Sequence, residues 1–112
     1  MMLSVTNGKL HLDLSLEERI ILHLDSAPPL PEHEYDVRGL PRTVLHMWPT
    51  LAPEVSQAKF YRTIEKIRDD DKDIQIIGRI HTHEKPKNRS DVYALTLKGQ
   101  VLAKAILQRA IV

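Results

Sequence analysis

The chain has 112 residues and a mass of 12.9 kDa, enough for one domain but not for two well-filled cores. Hydrophobic residues at 42% and charged residues at 28% describe a globular protein rather than a disordered one. Lys+Arg of 16 against Asp+Glu of 15 leaves a net charge of +1, which excludes a polycationic nucleic-acid coat or an acidic tail protein, and the absence of cysteine excludes disulfide scaffolds, thiol catalysis, Cys-type zinc sites and iron–sulfur clusters.

Residues 1–13 carry the partly alternating run Lys9-Leu10-His11-Leu12-Asp13-Leu14, which predicts a short strand or an ordered arm, with Asn7-Gly8 as a turn signal just before it. The stretch Met1-Met2-Leu3-Ser4-Val5-Thr6-Asn7 has neither the charged head nor the apolar middle of a signal peptide, and no apolar run approaches the roughly 20 residues of a membrane span. The expected location is therefore the cytoplasm, of a cell or of a virus's host.

The first helix is expected to start after Ser15, because Ser15-Leu16-Glu17-Glu18 is a capping box. Leu16, Ile20, Ile21 and Leu24 follow at helical spacing, and the helix is expected to end near Asp25-Ser26. Pro28, Pro29 and Pro31 then make an extended connector, with a short strand predicted around Tyr35-Asp36-Val37. Pro41 suits the first position of a short second helix, Arg42 to Met47, which Trp48-Pro49 should end. Trp48, the only tryptophan, reads as a core residue or a partly buried lid under a loop, with a partner anchor as the alternative.

Pro53 can open a third helix in the same way, running from Glu54 to about Asp69. Its apolar stripe would hold Phe60, Tyr61, Ile64 and Ile67, and its opposite face Ser56, Lys59, Arg62, Thr63 and Lys66. The acids Asp69 to Asp73 oppose the helix dipole and should terminate it. The β-branched run 74–83, a polar turn over 84–90 and the strand Val92 to Leu97 predict a β-hairpin whose tip carries Lys85, Lys87 and Arg89. Thr96 caps a final helix, Leu97 to Val112, with Val101, Leu102, Ala105, Ile106, Ile111 and Val112 expected along one side.

A long helix with a cationic outer face followed by a hairpin with a cationic tip points to nucleic acid, since phosphates need Lys and Arg and base edges need donors. In this light the sequence resembles the winged helix-turn-helix superfamily, especially small bacterial and archaeal transcriptional regulators. The resemblance rests on Leu14-Ser15-Leu16-Glu17-Glu18-Arg19-Ile20-Ile21-Leu22, on Val55 to Ile67 as recognition helix, and on Tyr93-Ala94-Leu95-Thr96-Leu97-Lys98-Gly99, which is similar to the Tyr-x-Leu-Thr-x-x-Gly pattern common there. It spans roughly residues 14 to 108. It departs from the family in the proline-rich stretch 28–53, where the tight turn between second and third helices is not evident.

The resemblance implies an α+β, mostly α fold, a winged helix-turn-helix over 14–97 with a three-helix core, a β-hairpin wing at 74–97 and a C-terminal helix, 98–112, serving as a possible dimerisation element. It implies a double-stranded DNA-binding protein, a transcriptional regulator, with helix 54–69 in the major groove and no catalysis, no metal and no cofactor. The DNA-contacting candidates are Ser56, Lys59, Arg62, Thr63, Lys66, Lys85, Lys87 and Arg89. A homodimer is expected, because the apolar end Ala110-Ile111-Val112 needs cover and a charge of +1 gives one copy weak grip on DNA. The alternative is a winged-helix protein-interaction module without DNA binding.

A remoter reading comes from Ile77-Gly78-Arg79-Ile80-His81-Thr82-His83, which resembles the His-x-His strand of the JAMM zinc isopeptidases. His81 and His83, two apart in a strand, share a face and can ligate one metal. That family's third ligand comes from a downstream Ser-x-x-Asp, which Ser90-Asp91-Val92-Tyr93 does not reproduce. Stacking on single-stranded nucleic acid is disfavoured by an aromatic content of 4%.

Overall fold

The Ser15 capping box forms as its spacing dictates: the Ser15 hydroxyl accepts the Glu18 N–H at 3.2 Å, and the Glu18 carboxylate accepts the Ser15 N–H at 3.0 Å. In the computed structural model, described here for residues 3–6, 9–12, 14–29, 37–81 and 89–111, this cap opens α1, Leu16–Ser26. The order of elements is β1 (Leu3–Thr6), β2 (Lys9–Leu12), α1, a 3₁₀ turn (Val37–Arg42), α2 (Val44–Leu51), α3 (Gln57–Glu65), a π-helical turn (Lys66–Asp70), β3 (Ile74–His81), β4 (Arg89–Leu95) and α4 (Leu97–Ile111). The class is mixed α+β and mostly helical.

Residues 1–13 hold two strands rather than one. β1 and β2 pair antiparallel, Leu3 opposite Leu12 and Thr6 opposite Lys9. Two residues, Asn7 and Gly8, separate them, and this dipeptide is the strongest short hairpin signal in a sequence. The strand predicted around Tyr35-Asp36-Val37 lies outside the described residues except for Val37, which begins the 3₁₀ turn.

The second helix is longer than its prolines suggested. Pro41 lies inside the 3₁₀ turn, and α2 continues through Pro49 to Leu51. Pro49 forfeits one helical bond, to the Leu45 carbonyl, on an exposed flank. Val44 and Met47 are buried on the other flank, each worth roughly 1.5–3 kcal/mol, so packing outweighs propensity.

The third helix starts later than expected. Pro53 is the second residue of a turn closed by the Val55 N–H on the Ala52 carbonyl at 3.2 Å, a position that its fixed φ suits. Ser56 is the N-cap of α3, its hydroxyl accepting the Lys59 N–H at 3.1 Å. Residues 52–56 are thus the turn between α2 and α3. Two side chains clamp it: Trp48 Nε1 donates to the Val55 carbonyl at 2.7 Å, and Arg19 donates to the Leu51 carbonyl at 3.2 Å and to Glu54 at 2.9 Å. Trp48 is a half-buried lid over this turn.

The core is one cluster drawn from α1 (Ile20, Ile21, Leu24), α2, α3 (Phe60, Ile64) with Ile67 of the π turn, the hairpin (Ile74, Tyr93, Leu95) and α4 (Ala103, Ile106). Two expectations about faces need correction. Tyr61 is 39% exposed, because it stands ~90° around the helix from the middle of the Phe60–Ile64–Ile67 stripe. On α4, Val101 and Ala105 face outward, and Gly99, Ala103 and Ile106 face the core with Leu102 half-buried.

β3 and β4 pair antiparallel from Ile74 opposite Leu95 to His81 opposite Arg89, with a bulge at Ile77. The hairpin hands over to α4 through a tight junction. The Thr96 hydroxyl accepts the Gly99 N–H at 3.1 Å and donates to the Lys72 carbonyl at 2.8 Å. A Cβ on Gly99 would sit 2.0 Å from the Asp73 carbonyl oxygen, so only glycine lets α4 seat here. Lys72 takes the left-handed conformation, φ 58°, just after the π turn.

Candidate nucleic-acid interface

The outer face of α3 is built from the inside out. Phe60 and Ile64, with Ile67 just beyond, bury completely or nearly so, and this rolls Lys59 and Arg62 into solvent. Neither the Lys59 ammonium nor the Arg62 guanidinium has a hydrogen-bond or ion-pair partner among the described residues. They are the two free cations of the helix.

The other helix candidates are engaged. The Ser56 hydroxyl caps the helix, and the Thr63 hydroxyl donates to the Lys59 carbonyl at 3.1 Å. Lys66 bridges Glu17 at 3.0 Å and Asp71 at 3.2 Å, and the Glu17 hydrogen bond, followed by Asp71, raises its pKa. Its charge is largely spent within the molecule. Arg68, two residues on, is held by Asp69 through two bonds of 2.7 and 2.9 Å, which raise the Arg68 pKa. The acidic run 69–73 therefore neutralises the end of the helix, and the usable positive charge sits in its first half.

Lys85 and Lys87 lie outside the described residues. Arg89 is the first residue of β4 and lies opposite His81. Arg79, on β3, pairs with Asp91 across the hairpin at 3.1 Å. His81 is the last residue of β3, and His83 lies outside the described residues. Among the described residues no group of three His, Asp or Glu side chains converges as a metal site. The structure does bring together two histidines far apart in sequence, His23 and His46, with ring centroids 6.0 Å apart. His23 Nε2 lies 2.6 Å from the Pro41 carbonyl, and since a carbonyl only accepts, Nε2 carries the proton.

One residue that sequence reasoning passed over organises this side of the fold. Arg42 is buried, and its guanidinium donates to three backbone carbonyls: Pro28 at 3.1 Å, Ala27 at 3.0 Å and Tyr93 at 3.3 Å. It ties the end of α1 to the 3₁₀ turn and to β4. Burial lowers its pKa, but a guanidinium starts so high that it stays charged. Tyr93, under the same roof, has its phenol pushed up to about 12 by burial.

Among the described residues no helix is long and apolar enough to cross a membrane. Compared with known proteins, the chain matches no family model, no curated protein and no solved structure.

Proposed function

We propose that this chain is a winged helix-turn-helix protein that binds double-stranded DNA as a transcriptional regulator, with α3 in the major groove and the β3–β4 hairpin as wing. The observation that carries the reading is the pair Lys59 and Arg62, exposed and unpaired on a helix whose opposite face is locked into the core. The order α1, α2, turn 52–56, α3, hairpin, α4 supports it, as does the clamped turn that sets α3 at a fixed angle to α2. Arg42, bonding the β4 backbone from the 3₁₀ turn, occupies the stretch where the family's helix–strand–helix pattern has a further strand.

The DNA-binding unit is a homodimer in this reading, paired through the outer stripe of α4, where Leu97 is 80% and Val101 69% exposed. Pairing doubles a cationic footprint that one chain supplies thinly.

The test is fluorescence anisotropy on a short labelled duplex across a salt series. Wild type is expected to bind with an affinity that falls steeply with salt, and Lys59→Ala with Arg62→Ala is expected to lose at least roughly tenfold. Lys104→Ala, which removes an exposed cation from α4, serves as control and should change little. No binding at low salt, or equal binding by the double variant, overturns the reading. A second reading, a protein-interaction module of the same fold, is favoured by the exposed Leu97, Val101 and Leu45 and would survive that outcome.

A further inference from the structure

A cleft of about 420 Å³ lies beside the start of α4, lined by Asp71, Asp73, Lys98, Val101, Leu102 and Ala105. One wall is a carboxylate that has not been satisfied. The Asp73 side chain is only 9% exposed, and its buried Oδ1 has no hydrogen-bond donor. The nearest cation is Lys98, whose Nζ stands 3.9 Å away, beyond hydrogen-bond range. That ammonium donates instead to the Asp71 carbonyl at 2.5 Å, on a side chain 68% exposed. The Asp71 carboxylate is already held by Lys66 at 3.2 Å. The other wall is apolar: Val101, Leu102 and Ala105, with Val101 and Ala105 turned to solvent.

We propose that this cleft binds a small organic cation, a primary ammonium on a short hydrocarbon tail, with the Asp73 carboxylate as its anion and the α4 side chains as the bed for its tail. A buried acceptor without a donor destabilises the fold, and a charged donor is the group that offsets most of that cost. The rest of the lining selects the ligand's body. An anion would meet two carboxylates, and a metal ion would find an aliphatic wall where it needs further oxygens. A cleft of this size with one charged group and an apolar side suits a small molecule. Lys98 is the resident competitor: a ligand ammonium takes the place beside Asp73 that its Nζ only approaches. The cleft opens on the Lys98 side of α4 and the proposed pairing stripe on the Leu97 side, with Val101 shared. The proposal does not depend on DNA binding.

The experiment is a ¹H–¹⁵N NMR titration of the 112-residue chain with butylammonium chloride, against 1-butanol as the neutral isostere. Butylammonium is expected to saturate, at least tenfold tighter than 1-butanol, with shifts centred on residues 71–73 and 98–105. Asp73→Asn should remove the tenfold preference in a chain whose spectrum stays dispersed. Lys98→Gln, which takes away the competing ammonium and leaves the fold's core untouched, should tighten butylammonium binding several-fold. Absence of saturation, equal response to 1-butanol, or a preference that persists in Asp73→Asn overturns the proposal. Should Asp73→Asn fail to fold, unchanged or weaker binding by Lys98→Gln overturns it alone. Loss of DNA binding with butylammonium binding intact sinks only the regulator reading.

Discussion

Arg42 and Asp73 are both buried charges, and the chain treats them in opposite ways. Arg42 is met by three carbonyls from two separate segments, 27–28 and β4, so its burial is repaid by hydrogen bonds and it stitches the connector to the hairpin. Asp73 is buried at the root of α4 with its backbone fully used and its carboxylate not. Its carbonyl accepts the Thr96 N–H at 2.9 Å and its N–H donates to the Ile67 carbonyl at 3.0 Å, while its Oδ1 has no donor. A charge that holds structure together is saturated by the structure. A charge left open beside a cleft is available to something else.

The sharpest break of this comparison is at Arg42. Arg42→Met keeps the stem and removes the fork, leaving three carbonyls without their shared donor. Stability should fall by about 3 kcal/mol, read from urea denaturation midpoints at an unchanged slope. Arg42→Lys should recover little, because an ammonium on a single stem cannot reach three carbonyls in a planar fork. A loss below about 1 kcal/mol would mean that water replaces the guanidinium freely, and the contrast with Asp73 would disappear.

Next in size is Gly99→Ala, which probes how rigidly the Asp73 segment is held. The added Cβ meets a backbone oxygen rather than a flexible side chain, so α4 must lift or the 71–73 segment must move. A cost of about 2 kcal/mol is expected, together with NMR shifts at the cleft. Ser56→Ala sets the baseline for one exposed, local bond: it removes a single cap from α3 and should cost about 1 kcal/mol.

The ranking of these effects mirrors what was legible in the residues. The caps at Ser15, Ser56 and Thr96 are local, within three positions of their partners, though the sequence around Ser56 reads as the interior of a helix that Pro53 begins. The hairpin and α4 followed from β-branched runs and from Thr96. What escaped was set at long range. Pro49 reads as a stop, yet α2 runs through it because Val44 and Met47 are buried on the far side. Arg42 reads only as the first residue of a short helix, because its partners are 14, 15 and 51 positions away. The inner face of α4 is hidden in the sequence because Ala103 and Gly99 make close contacts there while Val101 and Leu97 stay outside. At the candidate interface, the residue types on α3 were legible, and which cations are free was not: Lys66 differs from Arg62 in meeting Asp71 and, 49 positions earlier, Glu17.

The smallest expected effect, and the one that tests the contrast most directly, is the response of stability to pH at two acids. Glu18 accepts the Ser15 N–H and, at its other oxygen, Arg109; these bonds, the backbone one first, lower its pKa from the ordinary 4.5. Its contribution is complete above 4.5 and is lost as the pH falls through the lowered value. Asp73 runs the other way. Burial raises its pKa from 3.8, opposed by Lys98 and reinforced by Asp71 and Glu17, with Lys66 a weaker opposing neighbour. Below 3.8 the acid is protonated in both folded and unfolded chains and costs nothing; as the pH climbs through the raised value, the fold must carry a charge that it solvates poorly. Glu18→Gln should therefore lower the melting temperature at pH 7 and Asp73→Asn should raise it, with both differences shrinking toward pH 3. If Asp73→Asn lowers the melting temperature at pH 7, the carboxylate is already well paired inside the fold, and no vacancy exists for a ligand to fill.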